Sequence, residues 1–157
     1  MSDTKLKLEK VNITPDSKIV LNNVNLEVID GDIVSLMGSS ASGKTSLIRS
    51  IAGFQNITSG SIYIDEKIVD DSKKREDVSK RNVGVIFQDL ALFPHLTVRE
   101  NICFGLNTLS KKQQFDRAEK LEDILNIVDI KDRYPDQISG GQQQRVAIAR
   151  AIAPGPK

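Results

Sequence analysis

The stretch Gly38-Ser39-Ser40-Ala41-Ser42-Gly43-Lys44-Thr45 carries the most specific chemistry in the sequence. Two glycines bracket four small residues, and a lysine and a hydroxyl residue follow at once. This G-x-x-x-x-G-K-[ST] spacing suits a backbone that must wrap closely round a phosphate. Glycines let main-chain N–H groups converge on an anion, and a helix starting there adds its own unpaired N–H groups. Lys44 then supplies a full positive charge at the β- and γ-phosphates of a nucleoside triphosphate. Thr45 offers a hydroxyl to Mg²⁺, a cation that takes few protein ligands and shares the nucleotide's oxygens. Ser46 is placed to donate to the α-phosphate. Alone, the loop implies triphosphate binding and leaves kinases, GTPases and ATPases open.

A second stretch, Ser139-Gly140-Gly141-Gln142-Gln143-Gln144-Arg145-Val146, has capping-box spacing and two glycines at a helix start. Glycines there leave the first N–H groups uncovered by side chains, and such an end attracts phosphate, with the Ser139 hydroxyl as a further donor. The chain therefore offers two phosphate-facing surfaces.

The elements that must hold these residues are visible in the hydrophobic pattern. Leu6, Leu8 and Val11 alternate with Lys and Glu, as do Val24, Leu26 and Val28 with polar residues, predicting half-buried strands. The apolar run Ile33 to Met37 predicts a strand covered on both faces, feeding the glycine loop. Leu47, Ile48 and Ile51 predict a helix after the loop, stopped at Gly53. Ser61 to Ile64 reads as another strand, the charged stretch Asp70 to Arg81 as a solvated hairpin or loop, and Val83 to Phe87 as a strand ending at Gln88. Beyond it the pattern turns helical. Thr97/Glu100 and Ser110/Gln113 have capping-box spacing. Phe115, Ala118, Leu121, Ile124, Leu125 and Val128 predict one continuous apolar helix face. The helix opened by Ser139 runs to about Ala153, where Pro154 ends it. Strands in front, helices behind and a strand–loop–helix at the phosphate loop give an α/β fold with an inserted helical part.

Composition narrows the class. The 22 Lys and Arg nearly balance 21 Asp and Glu, for a net charge of +1, which argues against nucleic acid as a partner. With 39% hydrophobic and 27% charged residues the chain suits a globular domain. The single cysteine fits a reducing compartment. No apolar leader and no span-length apolar stretch is present, so the chain is expected neither to cross a bilayer nor to be exported.

Together these motifs resemble the ATP-binding subunits of ABC transporters. Residues 38–45 resemble the family's Walker A, Val85-Ile86-Phe87-Gln88 its Q-loop, and ISGGQQQRVAIARAIA its signature motif and helix. Their order and gaps match as well: 44 positions separate Lys44 from Gln88, and 51 separate Gln88 from Ser139. The resemblance implies a P-loop NTPase (RecA-like) core with an antiparallel β part at the N-terminus. It divides the chain into residues 1–88 for the β part and core, 89–138 for the helical subdomain, and 139–157 for the signature. It implies that Ser39 to Ser46 wrap one ATP, that Lys44 and Gln88 are catalytic, and that Thr45 and Gln88 serve Mg²⁺. Ser139, Gly140, Gly141 and Gln142 would face ATP held by a second subunit in a head-to-tail dimer. Further implied partners are transmembrane permease subunits and, indirectly, a substrate-binding protein, with the chain at the cytoplasmic face of the membrane. The run Leu92-Phe93-Pro94-His95-Leu96-Thr97-Val98 and Arg133-Tyr134-Pro135 resemble importers of ferric iron, polyamines, sulfate or sugars, the ferric-iron type being preferred. A non-catalytic nucleotide-binding module and a soluble ABC-type ATPase are the alternatives.

The sequence departs from that pattern twice. The aromatic residue that stacks on adenine in the family aligns near Pro15, and 12–20 contain no aromatic. After Ala153 the chain reads Pro154-Gly155-Pro156-Lys157, without the Walker B strand, its Asp and Glu, or the later His. A truncated, hydrolytically incompetent piece is therefore expected. His95 is expected to be an exposed loop residue, and Cys103 a small apolar residue rather than a reactive thiol.

Overall fold

A computed structural model describes residues 4–14 and 20–156, and these form two compact units, Met1–Val83 and Gly84–Lys157. Pro15 lies outside the described residues, and with it the question of what meets adenine there.

The first unit is an antiparallel sheet with a helix on one face. Strands β1 (Thr4–Ile13), β2 (Leu21–Ile29), β3 (Ser59–Ile64) and β4 (Lys67–Asp70) lie in the order β2-β1-β3-β4. Leu6, Leu8, Val11 and Ile13 all turn toward one core although the step from 8 to 11 is odd. A bulge explains this. Lys10 adopts a left-handed φ of 50°, and two residues, Lys10 and Val11, oppose the single Gly60 between the pairs Glu9↔Ser61 and Asn12↔Ser59. Gly60 must be glycine here, since a Cβ would stand 2.4 Å from the Lys10 carbonyl oxygen. Helix α1 (Lys44–Ala52) places Leu47 among Leu8, Val11, Ile13, Ile57, Ile62, Ile64 and Val69.

The second unit is helical: α2 (Val98–Cys103), α3 (Lys111–Ile124) and α4 (Gly140–Ile152). Each opens with the capping box its sequence predicts, at Thr97/Glu100, Ser110/Gln113 and Ser139/Gln142. Val98, Ile102, Leu106, Ala118, Leu121, Ile127, Ile130, Val146 and Ala149 build the core. One ion pair crosses it. Arg99 Nε donates to Glu122 Oε1 at 2.8 Å and its Nη2 donates to Oε2, so the fully buried carboxylate is matched by a two-pronged donor. The hydrogen bond to Glu122 raises the Arg99 pKa further.

Four expectations are corrected. Ile33 to Met37 and Val83 to Phe87 join no sheet among the described residues, and Ile33 and Met37 are 96% and 89% exposed. A strand exists only where a neighbour completes its hydrogen-bond ladder, so an apolar run does not make one by itself. The stretch Asp70 to Arg81 is not simply solvated, because Asp70 and Arg81 are each 2% exposed. The apolar face at 115–128 is also broken. Ala118 and Leu121 are buried, but Ile124, at the end of α3, is 71% exposed and Val128 lies beyond the helix in a 3₁₀ turn.

Candidate functional site: a glycine cradle and a bare helix start

The glycine loop is shaped from both sides. Gly38 has φ 154° and Gly43 φ 92°, and between them Ala41 is left-handed at 65°. A Cβ on Gly43 would stand 2.6 Å from Leu21 Cδ2 and 3.0 Å from the Val20 carbonyl oxygen, so the loop lies directly against the start of β2. The result is a concavity of about 320 Å³ lined by Val20 and residues 41–46. Val20 was not legible as a site residue; it sits outside the motif and enters only because Gly43 packs on it.

Helix α1 starts at the floor of this concavity. Its N-cap is Gly43, which offers no side-chain acceptor, in contrast to the capping boxes of α2, α3 and α4. The first N–H groups of a helix have no partner within it, so those of α1 are left for an external acceptor. Lys44 folds back over the loop. Its Nζ donates to the Gly38 carbonyl at 2.8 Å, the Ser39 carbonyl at 2.7 Å and Ser42 Oγ at 3.2 Å. A lysine holding three neutral acceptors can exchange them for phosphate oxygens at a gain, because anionic acceptors make the stronger hydrogen bonds. Thr45 is exposed on the first turn and Ser46 is half-buried. These groups fit the anionic tail of a nucleotide and a cation riding on it. Among the described residues no cluster of three His, Cys, Asp or Glu could hold a metal by itself.

The helix behind the loop is fixed at its other end. Gly53, left-handed at φ 90°, returns its N–H to the carbonyls of Arg49 and Ser50. Arg81 fills the space a Cβ there would need: it would come 2.8 Å from Arg81 Nε. The guanidinium donates to the Ser50 and Ile51 carbonyls at 2.7 and 2.9 Å, and pairs with Asp70 at 3.2 Å. Positive charge at the carboxyl end of α1 complements the helix dipole whose positive end faces the cradle.

In the helical unit, Ser139, Gly140 and Gly141 are exposed at the start of α4. Ser139 Oγ accepts from the Gln142 N–H at 3.3 Å, and Gln142 Oε1 accepts from the Ser139 N–H at 2.9 Å. The Ser139 hydroxyl proton is not used by that box. A Cβ added to Gly140 or Gly141 would meet nothing within 4 Å. Among the described residues nothing packs against either position, so the backbone at the start of α4 is open to close approach.

Gln88 is exposed in a turn closed by the Leu90 N–H to the Phe87 carbonyl at 3.0 Å. His95 is exposed and meets Phe93 edge-on at 6.2 Å between ring centres. Cys103 is half-buried with Sγ 3.6 Å from the Gln114 carbonyl, and burial pushes its thiol pKa up. Arg150 was legible in the sequence only as part of the signature run; the structure shows its guanidinium on the turn after Gln88.

Comparison with known proteins matches residues 21–157 to the family described as "ABC transporter". The chain is 41% identical over 153 residues to the Fe(3+) ions import ATP-binding protein FbpC of Fusobacterium nucleatum, covering 96% of this chain and 40% of that protein. It is 44% identical over 140 residues to the sulfate/thiosulfate import ATP-binding protein CysA of Synechocystis sp., covering 87% of this chain and 38% of that protein. The spermidine/putrescine import ATP-binding protein PotA of Bacillus cereus is 38% identical, over 97% of this chain and 46% of its own length. The chain thus spans less than half the length of these relatives. Among solved structures, the ATP-binding cassette MJ0796, in a dimeric post-hydrolysis state bound to ADP and Pi, superposes with a TM-score of 0.84 at 34% identity. That match covers 96% of this chain and 70% of the cassette.

Proposed function

The chain belongs to the ABC transporter family, and from that premise we propose that it is the nucleotide-binding part of an importer ATPase. In this reading residues 38–46 bind the triphosphate of one ATP, with Lys44 on its terminal phosphates and Thr45 directed to its Mg²⁺. Ser139, Gly140, Gly141 and Gln142 meet ATP held by a second copy in a head-to-tail pair, and Gln88 serves Mg²⁺ and the attacking water. Mg²⁺ supplies charge neutralisation at the phosphates. ATP binding closes the pair, and the whole protein couples closure and hydrolysis to permease subunits at the cytoplasmic face of a membrane. The resemblance to dimeric ATP-binding cassettes and to import ATP-binding proteins supports this reading.

The observation that carries it is the uncapped start of α1 beneath the Lys44 ammonium. Titration with Mg²⁺-ATP is the test. Lys44→Ala lowers affinity by about 10- to 100-fold, the value of one charge-assisted contact. Ser139→Arg leaves that affinity in place and abolishes association of two copies in Mg²⁺-ATP. Equal loss of binding in both variants overturns the two-surface arrangement.

For cargo we propose ferric iron, supported by the similarity to FbpC over nearly the whole chain and by the run Leu92 to Val98. Loss of ferric-iron uptake on deleting the gene, with sulfate and polyamine uptake intact, is the expected result.

A further inference from the structure

Arg150 lies near the carboxyl end of α4, the helix that Ser139 opens. Its Nη1 donates to the Ala91 carbonyl at 2.6 Å and its Nη2 to the Leu90 carbonyl at 2.8 Å. Leu90 and Ala91 are consecutive left-handed residues, with φ 59° and 45°, and neither is glycine. Such backbone costs about 1 kcal/mol or more per residue and persists only where neighbours hold it. Two parallel donors from one planar group are well matched to two carbonyls presented side by side. The guanidinium also lies over the Phe93 ring at 5.1 Å, and that ring packs against Phe104 at 4.2 Å. Its half-buried charge is met by these two carbonyls and a ring face, with no carboxylate paired to it among the described residues, and burial lowers its pKa.

The segment held in this way starts at Gln88. Gln88 and Asp89 form the tip of the turn closed by Leu90 N–H to Phe87. Its far end is tied by the buried Asn101, which accepts from the Phe93 N–H at 2.9 Å and donates to the Phe93 carbonyl at 3.1 Å. Between the turn and that anchor, Arg150 grips the two left-handed carbonyls.

We infer that Arg150 is a positioning residue for Gln88, fixing the turn that carries it to the helix that begins at Ser139. The inference rests on the proposed role of Gln88 in the nucleotide site. Through this grip the orientation of Gln88 follows α4, so an event at the bare start of that helix reaches Gln88 through one rigid element and one guanidinium.

The experiment compares the unaltered chain with Arg150→Gln and Arg150→Lys by amide hydrogen exchange and by the NMR signal of the Gln88 side-chain amide. In Arg150→Gln the Leu90 amide exchanges about ten-fold faster, while the Asn101 and Gln143 amides, bonded within α2 and α4, keep their rates. Arg150→Lys gives only partial restoration, because an ammonium cannot span both carbonyls. On adding Mg²⁺-ATP, the Lys44 and Thr45 amides shift equally in all three proteins, whereas the Gln88 signal responds fully only with Arg150 present. An unchanged Leu90 rate, a uniform rise across all helices, or full restoration by lysine would overturn the inference. No shift at Lys44 in the unaltered chain would instead overturn the nucleotide assignment, and the Leu90 rates would still decide the role of Arg150 in holding the turn.

Discussion

Arg117 and Arg145 each close the carboxyl end of the helix that carries the other. Arg117 of α3 donates to the Ile152 and Ala153 carbonyls at 3.4 and 3.2 Å, and Arg145 of α4 donates to the Leu125 and Asn126 carbonyls, both at 3.2 Å. The last carbonyls of a helix have no partner within it and carry the negative end of its dipole, so a guanidinium satisfies both needs. The two exchanges tie α3 and α4 together at opposite ends. The exposed start of α4 is thereby mounted on a helix whose direction is fixed.

Replacing either arginine by methionine keeps its apolar stem and removes the cap. Each change is expected to lower stability by about 1 kcal/mol, and the midpoint of urea unfolding measures it.

The four site glycines are expected to divide in pairs. Gly43→Ala puts a Cβ 2.6 Å from Leu21 in a left-handed backbone, so both stability and Mg²⁺-ATP binding fall. Gly38→Ala meets Ser42 Oγ at 2.7 Å and behaves in the same way. Gly140→Ala and Gly141→Ala meet open space and favour the helix, raising stability by up to about 1 kcal/mol. If they also abolish ATP-dependent association, the loss lies at the partner's surface. Thermal melts paired with sedimentation separate the two effects.

Arg81→Met should be among the most damaging changes in the first unit. It removes donors to Ser50, Ile51, Val69 and Glu76 carbonyls. It also leaves the Asp70 carboxylate, itself 2% exposed, without its close cation and with the Ser72 N–H as a remaining donor. Breaking a buried pair of this kind costs about 3–5 kcal/mol. Arg75 Nε, 3.8 Å from Asp70, is too distant to replace it fully. Circular dichroism during guanidinium unfolding gives the value.

Cys103 is expected to alkylate more slowly in the folded chain than in urea at pH 8.5, near the ordinary thiol pKa of ~8.5. Burial holds its folded pKa above the unfolded one. The stability linked to this group is therefore full below the unfolded pKa and is lost as pH rises through the folded pKa. Iodoacetamide kinetics across that range, with and without urea, measure the difference. Equal rates in the two states would contradict it.

Much of this was legible in local sequence because the governing interactions are local. A capping box needs two residues three apart, and all three predicted boxes form. Gly53 ends α1 by a local device, a left-handed residue whose N–H returns to the Arg49 and Ser50 carbonyls. The phosphate loop announces itself because eight adjacent residues make the cradle. What the sequence alone could not decide depends on partners far along the chain. Ile33 to Met37 has the apolar content of a strand, yet a ladder needs a neighbour, and pattern does not supply one. Asp70 and Arg81 read as a charged surface, but folding brings the C-terminal carbonyls of α1 onto the Arg81 guanidinium, which also holds Asp70. Likewise Arg150 was one charge in a helical run, and only the packing of α4 against the turn after Gln88 gave it two carbonyls to hold. Types and spacings fixed which groups can meet an anion; long-range packing fixed where those groups are aimed.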